Sequence, residues 1–463
     1  MIPNIANATV STASKVYSIL GNGSSLVPLA IKDVANSCGL TAASYLSGDS
    51  VEGKDRFIDE FGTQAIWLLG IPAYKKVIDL TMYKPLGFDS KVDARILKNP
   101  EILKAAEELA PTEVIKNSIK NVAAHQSKYR ALTVAKFAAS TLLTCASYFG
   151  LTKFRHKYTE NQIKKDYFEK QDKKLAKNNK NIASPNIQFS SAFDDVNLSA
   201  KPSKTNKKGK NVNFTGGMQD FIFDPVKNLM IVDGAITGER LAHSRNPQDF
   251  LGYVIKEGSF WAFMYFVGDM IANALEKNAD KKGKSIDLDA RVIESPLLKQ
   301  SFQDGSLKSH LETFNQMASK SDVELYKYAV QSHNENLVLD MAKKSDIIAV
   351  VKDSDSKLHV DTRKYIDLDK LKGVGKKLEK LLGQYENSGE CIDEFFKTVR
   401  KAKRSAIRKN IGACIGALGV LAPITMLVTR KLSPDSGYQV KKDVEAKLDQ
   451  QQNNNKSKAL TNS

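Results

Sequence analysis

The tripeptide Asp-Ala-Arg occurs twice, at Asp93 to Arg95 and at Asp289 to Arg291. A carboxylate two residues before an arginine could serve a reaction or hold a helix end. Asp93 and Asp289 fit N-caps, because a capping carboxylate accepts the backbone N–H groups that open a helix. Arg95 and Arg291 would then meet a carboxylate across an interface between equivalent halves. A structural role is the expectation for all four. The six histidines (His125, His156, His243, His310, His333, His359) never fall four residues apart or beside a cysteine, so their spacing offers no metal face and no His–Cys pair. Cys38, Cys145, Cys391 and Cys414 are far apart without a C-x-x-C, so no disulfide framework is expected and a reducing compartment is the default. There is no P-loop, dinucleotide fingerprint or nucleophile elbow. The sequence supports no enzyme, no catalytic residue, no metal and no cofactor.

One local motif carries a chemical suggestion. Ile366 to Leu382 reads IDLDKLKGVGKKLEKLL, and its Gly373-Val374-Gly375 resembles the Gly-h-Gly turn of helix-hairpin-helix DNA-binding modules. That resemblance implies a turn at a helix N-terminus whose backbone N–H groups, with Lys376 and Lys377, would hold a phosphate. It covers under twenty residues and has no second copy here. The plainer expectation is a turn between helices that uses glycine for its positive φ.

The elements that would position these residues appear to the eye as one unit written twice. Positions 196 apart agree without gaps: Gly62 with Gly258, Gly87 with Gly283, Asp93-Ala94-Arg95 with Asp289-Ala290-Arg291, and Pro100 with Pro296. Both copies hold an aromatic-rich apolar run between the matched glycines, TQAIWLLGIPAY and SFWAFMYFVGDM. A second apolar segment follows in each, after Lys136 and after Lys409. The interval from Arg95 to Lys136 is 41 residues and from Arg291 to Lys409 is 118, which places an insertion of 77 at about 301–400. A period this long is a duplicated domain, not a solenoid.

The fold class expected is mainly α, with two homologous helical halves in tandem, membrane-associated apolar helices, and a small β-hairpin (DIIAVVK, KLHVDTRKYI) in the insertion of the second half. Residues 1–152 form the first helical repeat, 153–215 a basic disordered linker, 216–431 the second repeat ending in a transmembrane-like helix, and 432–463 a disordered tail. The N-terminus has no basic region followed by a continuous apolar core, so no secretory signal is read.

Composition excludes a collagenous or wholly disordered chain: 42% of residues are hydrophobic and 26% charged. The net charge of +17 is concentrated, because residues 153–215 hold fifteen Lys/Arg and six Asp/Glu. Such a stretch is poor in large apolar residues, which is the mark of a solvated linker. Lys201, Lys204, Lys207, Lys208 and Lys210 could bind anionic lipid or nucleic acid.

Ile411 to Thr429 is nineteen residues without a charge, close to the length that spans a hydrocarbon core of about 30 Å. Gly412 and Gly416 form a G-x-x-x-G that would let another helix approach. Phe137 to Thr152 is a shorter candidate. With these two as spans, the basic residues beside them place the central block in the cytoplasm. The function expected is a non-enzymatic membrane-associated or integral membrane protein with a scaffold or structural role. The alternative is a basic nucleic-acid-binding protein using the linker and the turn at 371–377.

Overall fold

The computed structural model describes residues 16–17, 19–20, 26–47, 49–178, 222, 224–432 and 438–461, and it is mainly helical. From the N-terminus, α1 (Leu26–Leu46) and α2 (Ser50–Ala65) form a hairpin. α2 continues through a π-helical turn (Ile66–Gly70) into α3 (Ile71–Ile78) and a second π turn (Asp79–Tyr83). A 3-10 turn (Ala94–Lys98), α4 (Pro100–Glu108) and α5 (Glu113–Ala124) lead to α6 (Gln126–Asn178), 53 residues long. Next come α7 (Pro225–Ala242), α8 (Pro247–Trp261), a π turn (Ala262–Phe266), α9 (Val267–Lys281), α10 (Ala290–Ile293) and α11 (Pro296–Gln303). Then follow α12 (Ser306–Ala318), α13 (Asp322–Gln331), α14 (Leu337–Lys344), β1 (Val350–Lys352), β2 (Leu358–Val360) and α15 (Leu368–Glu386). The chain closes with α16 (Ile392–Gly416), a π turn (Ala417–Leu421), α17 (Ala422–Leu432) and α18 (Gln439–Thr461).

Among the described residues, six rods close into a ring. α1 packs on α2, α2 on α6, α6 on α7, α7 on α8, α8 on α17, and α17 back on α1. Where α1 meets the last π turn, the backbones touch: a Cβ on Gly39 would run into the Gly419 carbonyl. Glycine is required there by close approach, not by φ.

A second body caps one end of the ring. Its core joins α4 and α5 to α10–α15, with Ile119, Leu298, Leu325, Leu371 and Phe396 among its buried side chains. The segment before α4 is tied in by the Asp93 N–H, which donates to the Arg363 carbonyl at 2.8 Å, and by Arg363 Nη1 on Asp89 Oδ2 at 3.0 Å. β1 and β2 pair antiparallel, Val350 opposite Val360, as the hairpin expected between 301 and 400. α3 and α9 enter this cap through the same device. Phe88 N–H donates to Tyr83 O and Gly87 N–H to Lys84 O; 196 positions later Lys284 donates to Ala279 and Gly283 to Asp280. This is a Schellman-type stop whose left-handed residue is Gly87 at φ +73° or Gly283 at φ +66°.

Three sequence expectations need correction. Residues 153–178 are no linker: they extend α6, and Arg155 and Thr159 are buried in its contact with α2. The charge pattern there reflects one wet face of a long helix, with pairs such as Lys164 to Glu160 at 2.8 Å. The stretch 179–221, with Lys201, Lys204, Lys207, Lys208 and Lys210, lies outside the described residues. The tail is not disordered through 439–461, where α18 lies along α6 and Tyr167 donates to Asp449. Finally, two helices are long and apolar enough to cross a membrane, Gln126–Ala176 and Ile392–Val428. Both leave the cap core, α6 through Tyr129 and Leu132 and α16 through Phe395, Phe396 and Val399, so they run in the same sense. A hairpin of these two with the central block on one side is not the geometry.

Candidate functional site

The inside of the ring is charged. Asp59 and Lys256 are each 2% exposed, and Glu60 and Arg155 3%. α2 supplies the acids, Asp55 and Asp59 on one face because positions four apart on a helix align, and Glu60 next to Asp59. α6 supplies Arg155, α7 Arg240, and α8 Lys256 and Glu257. Buried charges persist only when paired, and these are.

Arg155 Nη1 lies 3.0 Å from Asp59 Oδ2, and Lys256 Nζ 2.8 Å from Glu60 Oε1. Arg240 pairs with Glu257, donates to Thr63 Oγ1 at 2.8 Å and reaches Asp59 Oδ1 at 3.5 Å. Its guanidinium also stands over the Tyr148 ring, 5.1 Å from the centroid. Toward the end remote from the cap, Asp55 accepts from Arg245 at 2.7 Å, Thr159 at 2.6 Å and Tyr438 at 3.0 Å. One network therefore ties α2 to α6, α7, α8 and the segment that leads into α18.

Deeper in the ring two carboxylates have aromatic partners instead of cations. Trp67 Nε1 donates to Asp33 Oδ2 at 2.8 Å, and the Tyr265 hydroxyl donates to Asp233. Trp67 and Tyr265 both sit in π turns, where the extra residue per turn redirects side chains from the outer face inward. Between these carboxylates lies a cavity of about 20 Å³, lined by Asn36, Glu60, Arg240 and Lys256 among others. The Asn36 side chain is fully buried there, with no hydrogen-bond partner for either amide atom. The space suits one water molecule with polar groups on every side.

None of this was expected from the sequence, whose only chemical clue was that Asp33, Asp233 and Asp269 interrupt apolar runs. The residues that were expected lie elsewhere. Asp93 and Asp289 are N-caps, accepting from the N–H of Arg95 at 2.9 Å and of Arg291 at 2.8 Å. Each arginine grips its own aspartate, Arg95 at 2.7 Å and Arg291 at 3.0 Å; Arg291 adds Asp346 at 2.7 Å, and the Arg95 guanidinium stands over the Tyr365 ring, 4.8 Å from its centroid. A third acid–x–arginine, Asp361 to Arg363, does the same at 2.8 Å. All three lie in the cap.

The turn expected at 371–377 is absent. Gly373 and Gly375 lie inside α15 without positive φ, so their N–H groups belong to the helix and cannot cradle a phosphate. Gly375 is small because a Cβ would approach the Phe314 ring to 2.8 Å. Lys377 Nζ donates to the Asp287 carbonyl at 3.0 Å, and Lys376 is exposed. Gly412 and Gly416 receive no helix: a Cβ on either meets nothing within 4 Å. The close helix contact of this region belongs to Gly419, one turn later.

Cys38, Cys145, Cys391 and Cys414 are free thiols, and among the described residues no three His, Cys, Asp or Glu side chains converge as a metal site would require. No known family pattern, curated protein or solved structure matches this chain.

Proposed function

We propose that the chain is a non-enzymatic, membrane-associated structural protein that embeds its helix ring in lipid. One observation carries the reading: the ring is inside out. Leu69, Leu142, Met270 and Leu421 are 59–71% exposed around its waist, while its charges face inward. A soluble bundle places these the other way, and contiguous exposed apolar surface on a monomer marks a membrane or partner contact. Ionisable residues within membrane-embedded helices face the interior and pair with one another, as they do here.

The halves are read as two copies of one unit. The π turns at 66–70 and 262–266, the stops at Gly87 and Gly283, the caps at Asp93 and Asp289 and the leading Pro100 and Pro296 all recur at one interval. The ring contacts recur as well: α6 against α7 answers α17 against α1.

Chain connectivity limits how the ring meets lipid. α6 ends remote from the cap, whereas α7 begins at the cap end, with Val226 beside Glu276 and Lys403. Residues 179–224 link these two ends. They hold six lysines and four aspartates, and a charge at a membrane centre costs about 2.5–3.5 kcal/mol. We read the ring as inserted on part of its circumference, with 179–224 returning through water and Lys201, Lys204, Lys207, Lys208 and Lys210 on anionic headgroups.

Flotation with liposomes of phosphatidylcholine and phosphatidylserine, followed by an alkaline carbonate wash, tests the reading. The protein is expected to float and to resist the wash. Recovery of the folded wild-type chain in the soluble fraction would overturn it.

A further inference from the structure

Where the ring meets the cap, a second cavity of about 290 Å³ opens between α1, α7, α9 and α16. Its wall is apolar on most sides: Leu20, Leu29, Val226, Met264, Ile407 and Ile411. Two cations line it, Lys32 and Lys403, and among the described residues only Lys403 has an acid partner. Lys32, in α1, is 93% buried (7% exposed), yet among the described residues it has no hydrogen bond and no ion pair. Among the described residues the other deeply buried ionisable side chains of the ring have an ion-pair or hydrogen-bond partner, as Asp33 has Trp67 and Asp233 has Tyr265, so Lys32 is the exception that needs one.

The backbone makes room for its head. A Cβ on Gly268 would come within 2.8 Å of Lys32 Nζ, so the ammonium rests against the bare backbone of Gly268. Acids at the cavity do not neutralise it. Glu276 is held by Lys403 at 3.6 Å, and that lysine also donates to the Ile286 carbonyl at 2.5 Å; Asp269 is solvent-exposed on the rim. The cavity thus joins one uncompensated positive charge to an apolar wall, at the lower end of the volumes that small-molecule sites occupy.

We propose that this cavity binds a single-chain amphiphile with an anionic head, the carboxylate or phosphate of an acyl chain, with its head on Lys32 and its chain on the apolar wall. The assignment stands apart from the membrane reading, since such a ligand can arrive from a bilayer or from solution. A charge-assisted hydrogen bond to the buried ammonium supplies the head-group selectivity.

Calorimetric titration of the full chain in an uncharged detergent tests this, with decanoate, decyl phosphate, 1-decanol and inorganic phosphate as the four probes. Decanoate or decyl phosphate is expected to saturate at one per chain, the tighter of the two identifying the head. Decanol and inorganic phosphate should each bind at least tenfold more weakly, since each lacks half of the recognition. Lys32→Gln should weaken the preferred probe tenfold or more, and Lys32→Arg should restore most of it. Should Lys32→Gln fail to fold, Ala272→Phe, which fills the cavity and leaves the lysine, decides by abolishing binding. Equal affinity for decanol, undiminished binding by a folded Lys32→Gln, or no saturable binding of either anionic probe would overturn the proposal.

Discussion

Arg155 on α6 and Asp59 on α2 stand 3.0 Å apart with only 3% of each side chain exposed, and Arg240, Lys256 and Arg56 also approach that carboxylate within 4 Å. The aspartate is the shared counterion of the ring. Removing it leaves several buried cations short of their anion, which costs more than the lost contacts themselves. Asp59→Ala should therefore destabilise the chain by about 3–5 kcal/mol. Urea denaturation followed by circular dichroism measures this; a loss under about 1 kcal/mol would show that water reaches the network.

The glycines where α1 meets the last long helix, and those along that helix, divide sharply. Gly39→Ala must separate α1 from the turn at 417–421, because the new Cβ strikes the Gly419 carbonyl. Gly412→Ala and Gly416→Ala meet open space, so each should gain up to about 1 kcal/mol of helix propensity. Melting temperatures of the three variants check the contrast. A destabilised Gly412→Ala would mean that another chain uses the G-x-x-x-G.

What was legible in the sequence is the local grammar. Asp93 and Asp289 were readable as caps because capping depends on neighbours within three residues. The hairpin at 350–360 was readable for the same reason. Gly373 and Gly375 misled because Phe314, 61 residues before Gly375 in the chain, sets the need for a small residue there, and no local pattern reports that. The buried network was invisible on the same ground: α2 reads SVEGKDRFIDEFGTQA, a polar helix by composition, and only its partners Arg155, Arg240 and Lys256 turn its acids inward.

Asp49 gives the fold an acid-sensitive joint. Burial pushes its carboxyl up, but the Lys441 ammonium at 2.8 Å and the N–H groups of Glu52 and Val51 outweigh this and hold it below the usual value. A depressed folded-state pKa adds stability that is complete above the unfolded value and disappears as pH falls through the folded one. Stability should thus drop below about pH 4, with the start of α18 loosening from the α1–α2 turn first. Asp49→Asn should flatten that acid limb; an unchanged slope would remove Asp49 from the account.

If the halves are copies, equivalent glycines should cost the same to replace. Gly87 and Gly283 both hold positive φ with nothing near a prospective Cβ, so Gly87→Ala and Gly283→Ala add no clash with a neighbour and cost only the left-handed backbone strain of a β-carbon. Each should destabilise by about 1–2 kcal/mol. Losses differing by more than about 1 kcal/mol would argue that the two stops only look alike, and so would an experimental structure in which 50–105 fails to superpose on 246–301.

The direction of the long helices makes a test of how the ring meets lipid. α6 and α16 both leave the cap, and residues 179–224 connect the remote end of the ring back to its cap end. If the ring inserts on part of its circumference, the cap, the remote end and the connecting stretch share one aqueous side. Single cysteines at Asp355 in the cap, Lys173 near the end of α6 and Ser203 in the connection, on a background with the four native cysteines replaced by alanine, should all react with a membrane-impermeant maleimide in sealed vesicles. A ring spanning the bilayer would instead protect either Asp355→Cys or Lys173→Cys until detergent is added, and would force a stretch with ten charged residues through the hydrocarbon. The energetic cost of that passage, several times the 2.5–3.5 kcal/mol or so of one central charge, is why equal labelling at all three positions is the expected result.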